Sequence, residues 1–339
     1  MVYEGRRIIR VGRDLDVPLI GTVAFGIIDR GTNVIQVRPT TLCPLSCVFC
    51  STDAGPKSRR RICEYVVDLD YLVDVFRRVV EYKGAYKIEA HIDTVGDPLT
   101  YDRIVDLVQE LSSTRGVEVV SLQTHGALLT EKLVDELGDA GLSRINLSID
   151  ALDPKLARLL ADTPWYDVHR VMQVAEYIAK SSKIDLLIAP VWVPGLNDHE
   201  IPKIIEFALK IGAGKRWPPL GIQKYVKHKH GRKPRGVKPM SWRKFYSKLR
   251  ELELKYGVKL ILKPEDFGIH KRRMLPIPFK LGEKVMVRVV EEGWLKGEKL
   301  GVARDRVVTL VEAEDIPVGV EVKVKIIWNK DNIIVARPT

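Results

Sequence analysis

A repeated alternation of short strands and longer helices constrains the fold of this chain most. Apolar and polar residues form short strand-like runs at 34–38, 87–92, 117–122, 144–149, 184–189, 220–223 and 258–262. Helical spacing predicts intervening helices at 72–82, 104–111, 131–137, 168–179, 201–211 and 242–256. Strands joined through helices form parallel βαβ units, and about six such units predict an α/β fold with a partial or full barrel. Functional residues then belong at the C-terminal ends of the strands.

The pattern changes after about residue 276. Short alternating strands are predicted at 284–290, 300–303, 306–311, 321–327 and 333–336, with glycine, proline and asparagine turns between them. Five short strands in such a segment predict a small all-β barrel of the OB type. We therefore predict an N-terminal extension at 1–30, an α/β core at 31–275 and the small barrel at 276–339.

Three of the four cysteines follow the first core strand, in the run Cys43-Pro-Leu-Ser-Cys47-Val-Phe-Cys50. Thiolates so close together select an iron–sulfur cluster, zinc or copper(I). A structural zinc site takes a fourth Cys or His, and Cys63 has no partner at zinc-finger spacing. Three ligands without a fourth favour a cluster with one open iron, with zinc as the alternative. The chain opens without an apolar signal-peptide core, which predicts a reducing, cytoplasmic setting rather than disulfides.

With Phe49 before its last cysteine, this run resembles the signature of the radical S-adenosylmethionine (radical SAM) superfamily. The resemblance implies that Cys43, Cys47 and Cys50 hold a [4Fe-4S] cluster and that S-adenosylmethionine (SAM) chelates the fourth iron. It also implies reductive cleavage of SAM to a 5′-deoxyadenosyl radical, which requires an electron donor. The fold that it implies is a curved (β/α)6 partial TIM-type barrel.

The same resemblance assigns SAM contacts to residues that follow later strands. Family members carry Gly-Gly-Glu-Pro after the second strand, where this chain reads Val95-Gly96-Asp97-Pro98. The shorter carboxylate can accept a hydrogen bond from the amino group of SAM, or it can cap a plain strand-to-helix turn. Eight residues are thereby predicted to bind SAM: Phe49, Gly96, Asp97, Pro98, Thr124, Ser148, Asp150 and Val193.

Several of these residues lie at the ends of the third, fourth and fifth core strands. Asn146, Ser148 and Asp150 alternate on one strand face, where polar groups are costly unless they bind something. The resemblance places Ser148 and Asp150 near the ribose or the methionine carboxylate, and Val193 near the adenine. His125 stands after a Thr where relatives have Asn, so its role stays open between substrate contact, proton transfer and packing.

Positive charge predicts a polyanionic partner. The chain has 55 Lys and Arg residues against 44 Asp and Glu residues, a net charge of +11. Basic runs at 57–61 and 224–235 follow predicted strands, where they can contact RNA phosphates. Tyr225 and Trp242 can stack on an unpaired base. The alternative is a solvated loop on a charge-rich, thermophile-like surface.

The C-terminal strands carry a second resemblance. Segments 301–304, 307–311 and 316–325 resemble a TRAM domain, an RNA-binding OB-like fold attached to several RNA-modifying enzymes. The chain as a whole resembles an uncharacterised archaeal-type subgroup of radical SAM proteins that carry this domain. The leading hypothesis is therefore a radical SAM enzyme that modifies tRNA or rRNA.

Two other hypotheses remain open at this point. The same chemistry could act on a lipid, a cofactor or a protein side chain, or the chain could be a non-enzymatic metal-containing RNA-binding protein. Cys63 is expected to be a buried thiol, with a methyl carrier as the alternative, and no further cysteines are present for a second cluster. No apolar run reaches the roughly 20 residues of a membrane helix. The reaction outcome and the oligomeric state stay open.

Overall fold

Residues 2–339, which the computed structural model describes, form sixteen strands and seven α-helices. Met1, with which the predicted extension begins, lies outside the described residues. The first elements are β1 (Val2–Tyr3), β2 (Arg6–Val11), β3 (Gly26–Asp29), β4 (Val34–Arg38), β5 (Cys63–Val67), α1 (Leu69–Tyr82), β6 (Ile88–Ile92), α2 (Ile104–Ser112) and β7 (Val117–Thr124). They are followed by α3 (Glu131–Asp139), β8 (Arg144–Leu147), α4 (Pro154–Ala161), α5 (Val168–Ser181), β9 (Asp185–Ile188), β10 (Val191–Trp192), α6 (Glu200–Ile211), β11 (Gln223–Lys224) and α7 (Trp242–Tyr256). The last strands are β12 (Lys284–Glu292), β13 (Glu298–Ala303), β14 (Arg306–Val311), β15 (Glu321–Trp328) and β16 (Val335–Pro338).

Most of the predicted strands and helices are confirmed, with ends displaced by a few residues. The predicted strand at 258–262 is wrong, because its backbone amides have another acceptor. The amides of Leu260 and Ile261 donate to the carboxylate of Glu253 at 2.7 and 2.8 Å, so the segment pairs with a helix side chain instead of a strand. The predicted ranges do not include the strands β1, β2, β3, β5 and β10 or the helix α4.

The chain divides into two compact units. Residues up to Leu42, Ser58–Glu118 and Lys271–Thr339 form the first unit, and Cys43–Lys57 with Val119–His270 form the second. The domain boundaries predicted after residues 30 and 275 remain predictions. None of the helices formed by residues 2–339 combines the length and the apolar character that a bilayer span needs.

The first unit contains two small groups of strands besides its barrel. In one group, β4 pairs antiparallel with β3 and parallel with β6. In the other, β2 pairs antiparallel with β1 and parallel with β5. Helix α1 packs through one apolar stripe, whose buried members recur at helical spacing. These are Leu69, Leu72, Val73, Phe76, Val79 and Val80.

The C-terminal strands of the first unit close into a barrel of five strands, in the order β12-β13-β14-β16-β15. Every neighbouring pair is antiparallel except β14 and β16, which are parallel. Along β12, Val285, Val287 and Val289 point inward and are buried, as a period of two requires. Closure leaves no unpaired strand edge. The amide of Val307 also donates to the carbonyl oxygen of Ile20 at 2.9 Å, which attaches the barrel to the N-terminal segment of its unit.

The second unit is a parallel α/β arrangement. Strand β8 pairs in parallel with β7 on one side and β9 on the other, and β10 pairs in parallel with β11. Helices α3 to α6 occur between and after these strands. The strands are buried on both faces, as is usual for a parallel sheet covered by helices. Their C-terminal ends therefore lie along one edge, which is where a site is expected.

A buried ion pair connects three segments of the first unit. Lys83 Nζ lies 2.7 Å from Asp29 Oδ1, and both side chains are fully buried. Lys83 also donates to the carbonyl oxygen of Arg273 at 2.9 Å. Asp29 accepts the amides of Gly31 and Leu275 at 2.9 and 2.7 Å. The pair thus joins the end of β3, the end of α1 and the segment that leads to the barrel.

Replacing Asp29 with Asn should destabilise the protein strongly, because the buried Lys83 charge loses its counter-charge. We expect the free energy of unfolding in urea to fall by about 3–5 kcal/mol. Asp331→Asn is the matched control. It breaks the pair with Arg30, whose side chain is 48% exposed, and should cost less than about 1 kcal/mol. Equal effects of the two substitutions would contradict the structural role assigned to the buried pair.

Candidate cofactor site

The cysteine loop of the second unit, Cys43–Lys57, is anchored through its own backbone. The amides of Ser46 and Val48 donate to the carbonyl oxygens of Ala161 and Leu160, at 3.0 and 2.9 Å. These carbonyls belong to the last turn of α4, where helix carbonyls lack partners within the helix. The end of α4 therefore holds the loop backbone between the first and the last cysteine.

A tight turn closes the loop after Cys50. Gly55 has a φ of +89°, and a Cβ added to it would lie 1.7 Å from the carbonyl oxygen of Leu45. Glycine alone tolerates both this conformation and this approach. The turn brings the Ala54 amide to 3.3 Å from the Sγ of Cys50, to which it donates. Hydrogen bonds to sulfur are one of the means by which proteins tune iron–sulfur clusters.

The thiols of the loop interact electrostatically. Burial raises the pKa of Cys47 well above its usual value, the charges of Cys43, Cys50 and Asp150 raise it further, and Arg232 lowers it. Three thiolates in this setting require compensating positive charge, which the iron ions of a cluster supply. Among residues 2–339, no three Cys, His, Asp or Glu side chains form a complete metal site by geometry, so the fit to a cluster rests on the donor chemistry.

His125 lies between a cysteine and a carboxylate. Its Nε2 is 4.0 Å from the Sγ of Cys47, and its Nδ1 is 3.6 Å from Oδ2 of Asp150. Asp150 also accepts the amide of Val191 at 2.7 Å. Burial raises the pKa of Asp150, while His125 and the Val191 amide oppose that rise. The structure thus brings the predicted residues Cys47 and Asp150 together through a histidine whose role the sequence left open.

Thr124 and Ser148 are buried at the ends of neighbouring strands. The Ser148 amide donates to the carbonyl oxygen of Thr124 at 2.8 Å, which continues the pairing of β7 with β8. The Thr124 hydroxyl accepts the amide of Gly126 at 2.9 Å, so this side chain stabilises the turn after β7. The contacts of Thr124 and Ser148 with SAM stay predictions.

Asn197 lies at this site, and the sequence did not single it out. It is fully buried, and its Oδ1 accepts the amide of Val193 at 2.8 Å. Its amide nitrogen donates to the carbonyl oxygens of Asp150 and Val191, at 2.8 and 2.9 Å. Asn197 therefore fixes the backbone next to two predicted SAM residues. Phe49 and Val193 are themselves buried.

The Gly96-Asp97-Pro98 turn lies in the first unit, where it packs against the end of the segment before the cysteine loop. The Asp97 amide donates to the carbonyl oxygen of Leu42 at 2.8 Å, and a Cβ on Gly96 would lie 2.0 Å from the same oxygen. The Asp97 carboxylate accepts the amide of Leu99 at 3.1 Å and so caps a short 3₁₀ turn. The capping role anticipated as an alternative is thus observed, and the contact with SAM stays a prediction.

Two residues predicted to contact RNA are buried. Arg61 belongs to the first basic run, but it donates to the carbonyl oxygen of Thr41 at 2.6 Å and to Glu64 at 2.9 Å, with no exposed side-chain surface. Tyr225 is 2% exposed, because its amide continues the β10–β11 pairing and its ring turns inward. Its predicted stacking on a base is therefore wrong. Trp242 is 57% exposed.

Cys63 is a buried thiol, as expected. Its Sγ donates to the carbonyl oxygen of Gly293 at 3.2 Å, and burial raises its pKa to about 12. A protonated, buried thiol is a weak nucleophile. The methyl-carrier alternative therefore gains no support from the structure.

Comparison with known proteins identifies the family. A family model described as the radical SAM superfamily matches residues 37–208, a stretch that begins in β4 and contains the whole cysteine loop. A Methanocaldococcus jannaschii protein described as uncharacterised is 47% identical over 340 residues, which cover 94% of this chain and 78% of its own length. A GTP 3′,8-cyclase of Nitrobacter hamburgensis is 31% identical over 182 residues, which cover 53% of this chain and 50% of the cyclase.

Solved structures show the same kind of fold. SuiB of Streptococcus suis, in its complex with S-adenosylmethionine, matches 73% of this chain and 51% of its own with a TM-score of 0.52 at 15% identity. This chain thus spans about half the length of the cyclase and of SuiB. The family and its named relatives confirm the prediction of an enzyme, and they favour it over a non-enzymatic metal protein. Because a radical SAM family model covers half of the chain, the chain belongs to the radical SAM superfamily.

Proposed function

We propose that this chain is a radical SAM enzyme that modifies an RNA, either tRNA or rRNA. Its cluster is held by Cys43, Cys47 and Cys50. The cysteine loop inside the region that matches the family carries the chemical part of the proposal. When bound, a [4Fe-4S] cluster and SAM supply a 5′-deoxyadenosyl radical that abstracts hydrogen from a substrate. The remaining protein groups bind, orient and shield these reactants.

The loop residues serve this purpose by burial and by fixed backbone geometry. Cys43 and Cys47 are 5% and 6% exposed, so water has little access to their sulfurs. Exclusion of water protects reactive intermediates from side reactions. The proposed SAM residues are those named from the family resemblance: Phe49, Gly96, Asp97, Pro98, Thr124, Ser148, Asp150 and Val193. An electron donor is required to reduce the cluster.

The RNA part of the proposal is supported by an aromatic and basic surface formed by α7 and the end of β11. Trp242 and Tyr246 are 57% and 40% exposed, and their rings stack with centroids 5.9 Å apart. Lys224 Nζ lies 4.7 Å from the centroid of the Trp242 ring. Exposed aromatic rings beside cations bind unpaired bases and the phosphates that join them. We name Lys224, Trp242 and Tyr246 the aromatic surface.

Cations continue this surface along the start of α7. Arg243 and Lys244 lie in its first turn, and that turn has no acidic residue. Cations there oppose the positive end of the helix macrodipole, which costs some stability. A bound phosphate backbone would neutralise this charge. The placement therefore favours a polyanionic partner over a merely solvated helix end.

The closed barrel supports the same substrate class. Lys284 on β12 lies directly opposite Lys325 on β15, and Lys323 lies opposite Met286, all with exposed side chains. Like charges directly opposite each other destabilise a sheet, so their presence favours an anionic ligand.

We propose that the barrel is a TRAM-like domain of the OB type and that the α/β part is a (β/α)6 partial barrel. Similarity to the Methanocaldococcus jannaschii protein supports the proposed archaeal-type subgroup.

A small-molecule substrate is the second candidate. The relatives named GTP 3′,8-cyclase, which match about half of this chain, favour it. A lipid, another cofactor or a protein side chain belongs to the same alternative, in which the cations recognise an anionic group of the substrate.

The wild-type protein should release 5′-deoxyadenosine after anaerobic reconstitution with iron and sulfide and addition of SAM and dithionite. Cys47→Ala should reduce this release to background, because two thiolates cannot hold the cluster. Chromatography with mass spectrometry measures the product. Cys63→Ser is the control and should retain the release. A wild type that carries an intact cluster and releases no product would contradict the proposed chemistry.

Trp242→Ala should weaken binding of single-stranded RNA by about five- to 150-fold, since a base stacked on an aromatic ring contributes about 1–3 kcal/mol. Fluorescence anisotropy with a labelled oligoribonucleotide measures the affinity. Trp165→Ala is the matched control, because Trp165 is also exposed, at 55%, and lies in the same unit. Equal losses in the two variants would remove the aromatic surface as the binding site.

Cells that lack this protein should lose one modified nucleoside from their tRNA or rRNA. Mass spectrometry of RNA nucleosides from wild-type and deletion strains tests this, and complementation with the Cys47→Ala variant should not restore the nucleoside. An unchanged nucleoside profile would contradict the RNA substrate and favour the small-molecule candidate.

A further inference from the structure

One cation of the second basic run points at the cysteine loop rather than at solvent. The side chain of Arg232 is 15% exposed, and its Nε lies 2.9 Å from Oδ1 of Asp53. Its two terminal nitrogens donate to the carbonyl oxygens of Cys47 and Ala54, at 3.2 and 2.6 Å. Its backbone amide donates to the carbonyl oxygen of Cys50 at 2.8 Å. One residue thus binds four points of a single loop.

One partner of Arg232, Asp53, is itself in a conformation that needs support. The Asp53 side chain is only 6% exposed, and the residue has a φ of +51°, in the left-handed region that side chains other than glycine rarely adopt. Such a residue persists when its surroundings hold it in place. A guanidinium with little exposure and a planar fork of donors suits this task, because it satisfies the carboxylate and two carbonyls at once.

The preceding residue shows how closely the two segments approach. A Cβ on Gly231 would lie 2.8 Å from the carbonyl oxygens of both Cys50 and Ser51. Contacts this short require the backbone of one segment to move. The segment 231–232 therefore packs directly on the backbone that follows the third cysteine.

We propose that Arg232 is a positioning residue for the iron–sulfur cluster: it holds the cysteine loop in its liganding conformation and, through its charge, raises the reduction potential of the cluster. This inference rests on the proposed function, since it takes Cys47 and Cys50 as ligands. Arg232 itself makes no bond to iron. It acts on the backbone carbonyls of two ligands and on the local charge.

The expected effect on the potential follows from electrostatics. Uptake of one electron makes the cluster more negative, and a nearby cation with little access to water stabilises that state. Asp53 partly offsets this charge, so loss of its carboxylate should act in the opposite direction. Residues outside the ligand set commonly tune metal centres in this way.

Hydrogen–deuterium exchange on the full-length chain before reconstitution tests whether Arg232 holds the cysteine loop in place. Peptides from residues 43–57 should exchange at least tenfold faster in Arg232→Met and in Gly231→Ala than in the wild type. Arg235→Met is the control, because it removes an exposed cation from the same run. Wild-type exchange in both Arg232→Met and Gly231→Ala would overturn the positioning role.

Potentiometric titration of the reconstituted proteins with dithionite, a one-electron reductant, tests whether the charge of Arg232 raises the reduction potential of the cluster. Arg232→Met should lower the midpoint potential by about 59 mV, which corresponds to a tenfold change in a one-electron equilibrium. Arg232→Lys keeps the charge and should retain the wild-type potential, although peptides from residues 43–57 exchange faster. Asp53→Asn should raise the potential. Arg235→Met is the control and should leave the potential unchanged. Equal potentials in Arg232→Met and the wild type would overturn the electrostatic role. A wild type that binds no cluster would instead contradict the proposed function, and the exchange experiment would still decide whether Arg232 holds the loop.

Discussion

The cysteine loop depends on hydrogen bonds that its own backbone makes to distant segments. Three thiols in one short loop repel each other when ionised, and burial adds to the cost, as the raised pKa of Cys47 shows. Amides of the loop donate to carbonyl oxygens at the end of α4, and Arg232, far along the chain, donates to carbonyl oxygens of the loop. Protein contacts alone thus fix the loop backbone, and preorganisation of this kind would lower the cost of assembling the ligands of the proposed cluster.

Many polar residues at the strand ends perform structural work that is compatible with cofactor binding. Asp97 caps a turn, Thr124 stabilises another, and Asn197 holds two strand ends with one side chain. These groups satisfy the backbone donors and acceptors that a buried strand end would otherwise leave unpaired. Asp97 and Thr124 thus meet local folding requirements at positions where SAM contacts are proposed.

The positive charge of the chain has two different uses. Arg61 and Lys83 are buried, Arg232 is 15% exposed, and all three bind carbonyl oxygens and carboxylates within their own unit. Arg243 and Lys244 are exposed at a helix start, where the macrodipole disfavours them. A net charge counts both groups alike, so composition could not show that Arg61 of the first basic run is buried while Arg243 and Lys244 are exposed.

The sequence by itself determined the family chemistry, the alternating strands and helices and the five-strand barrel, because each of these depends on spacing along the chain. Periodicity reports which residues share a face, and the cysteine spacing reports which thiols can meet. Only the tertiary structure decided that 258–262 pairs with the Glu253 carboxylate instead of a strand, that Tyr225 turns inward and that His125 lies between Cys47 and Asp150. These outcomes rest on contacts between residues far apart in the chain, and no local pattern records such contacts.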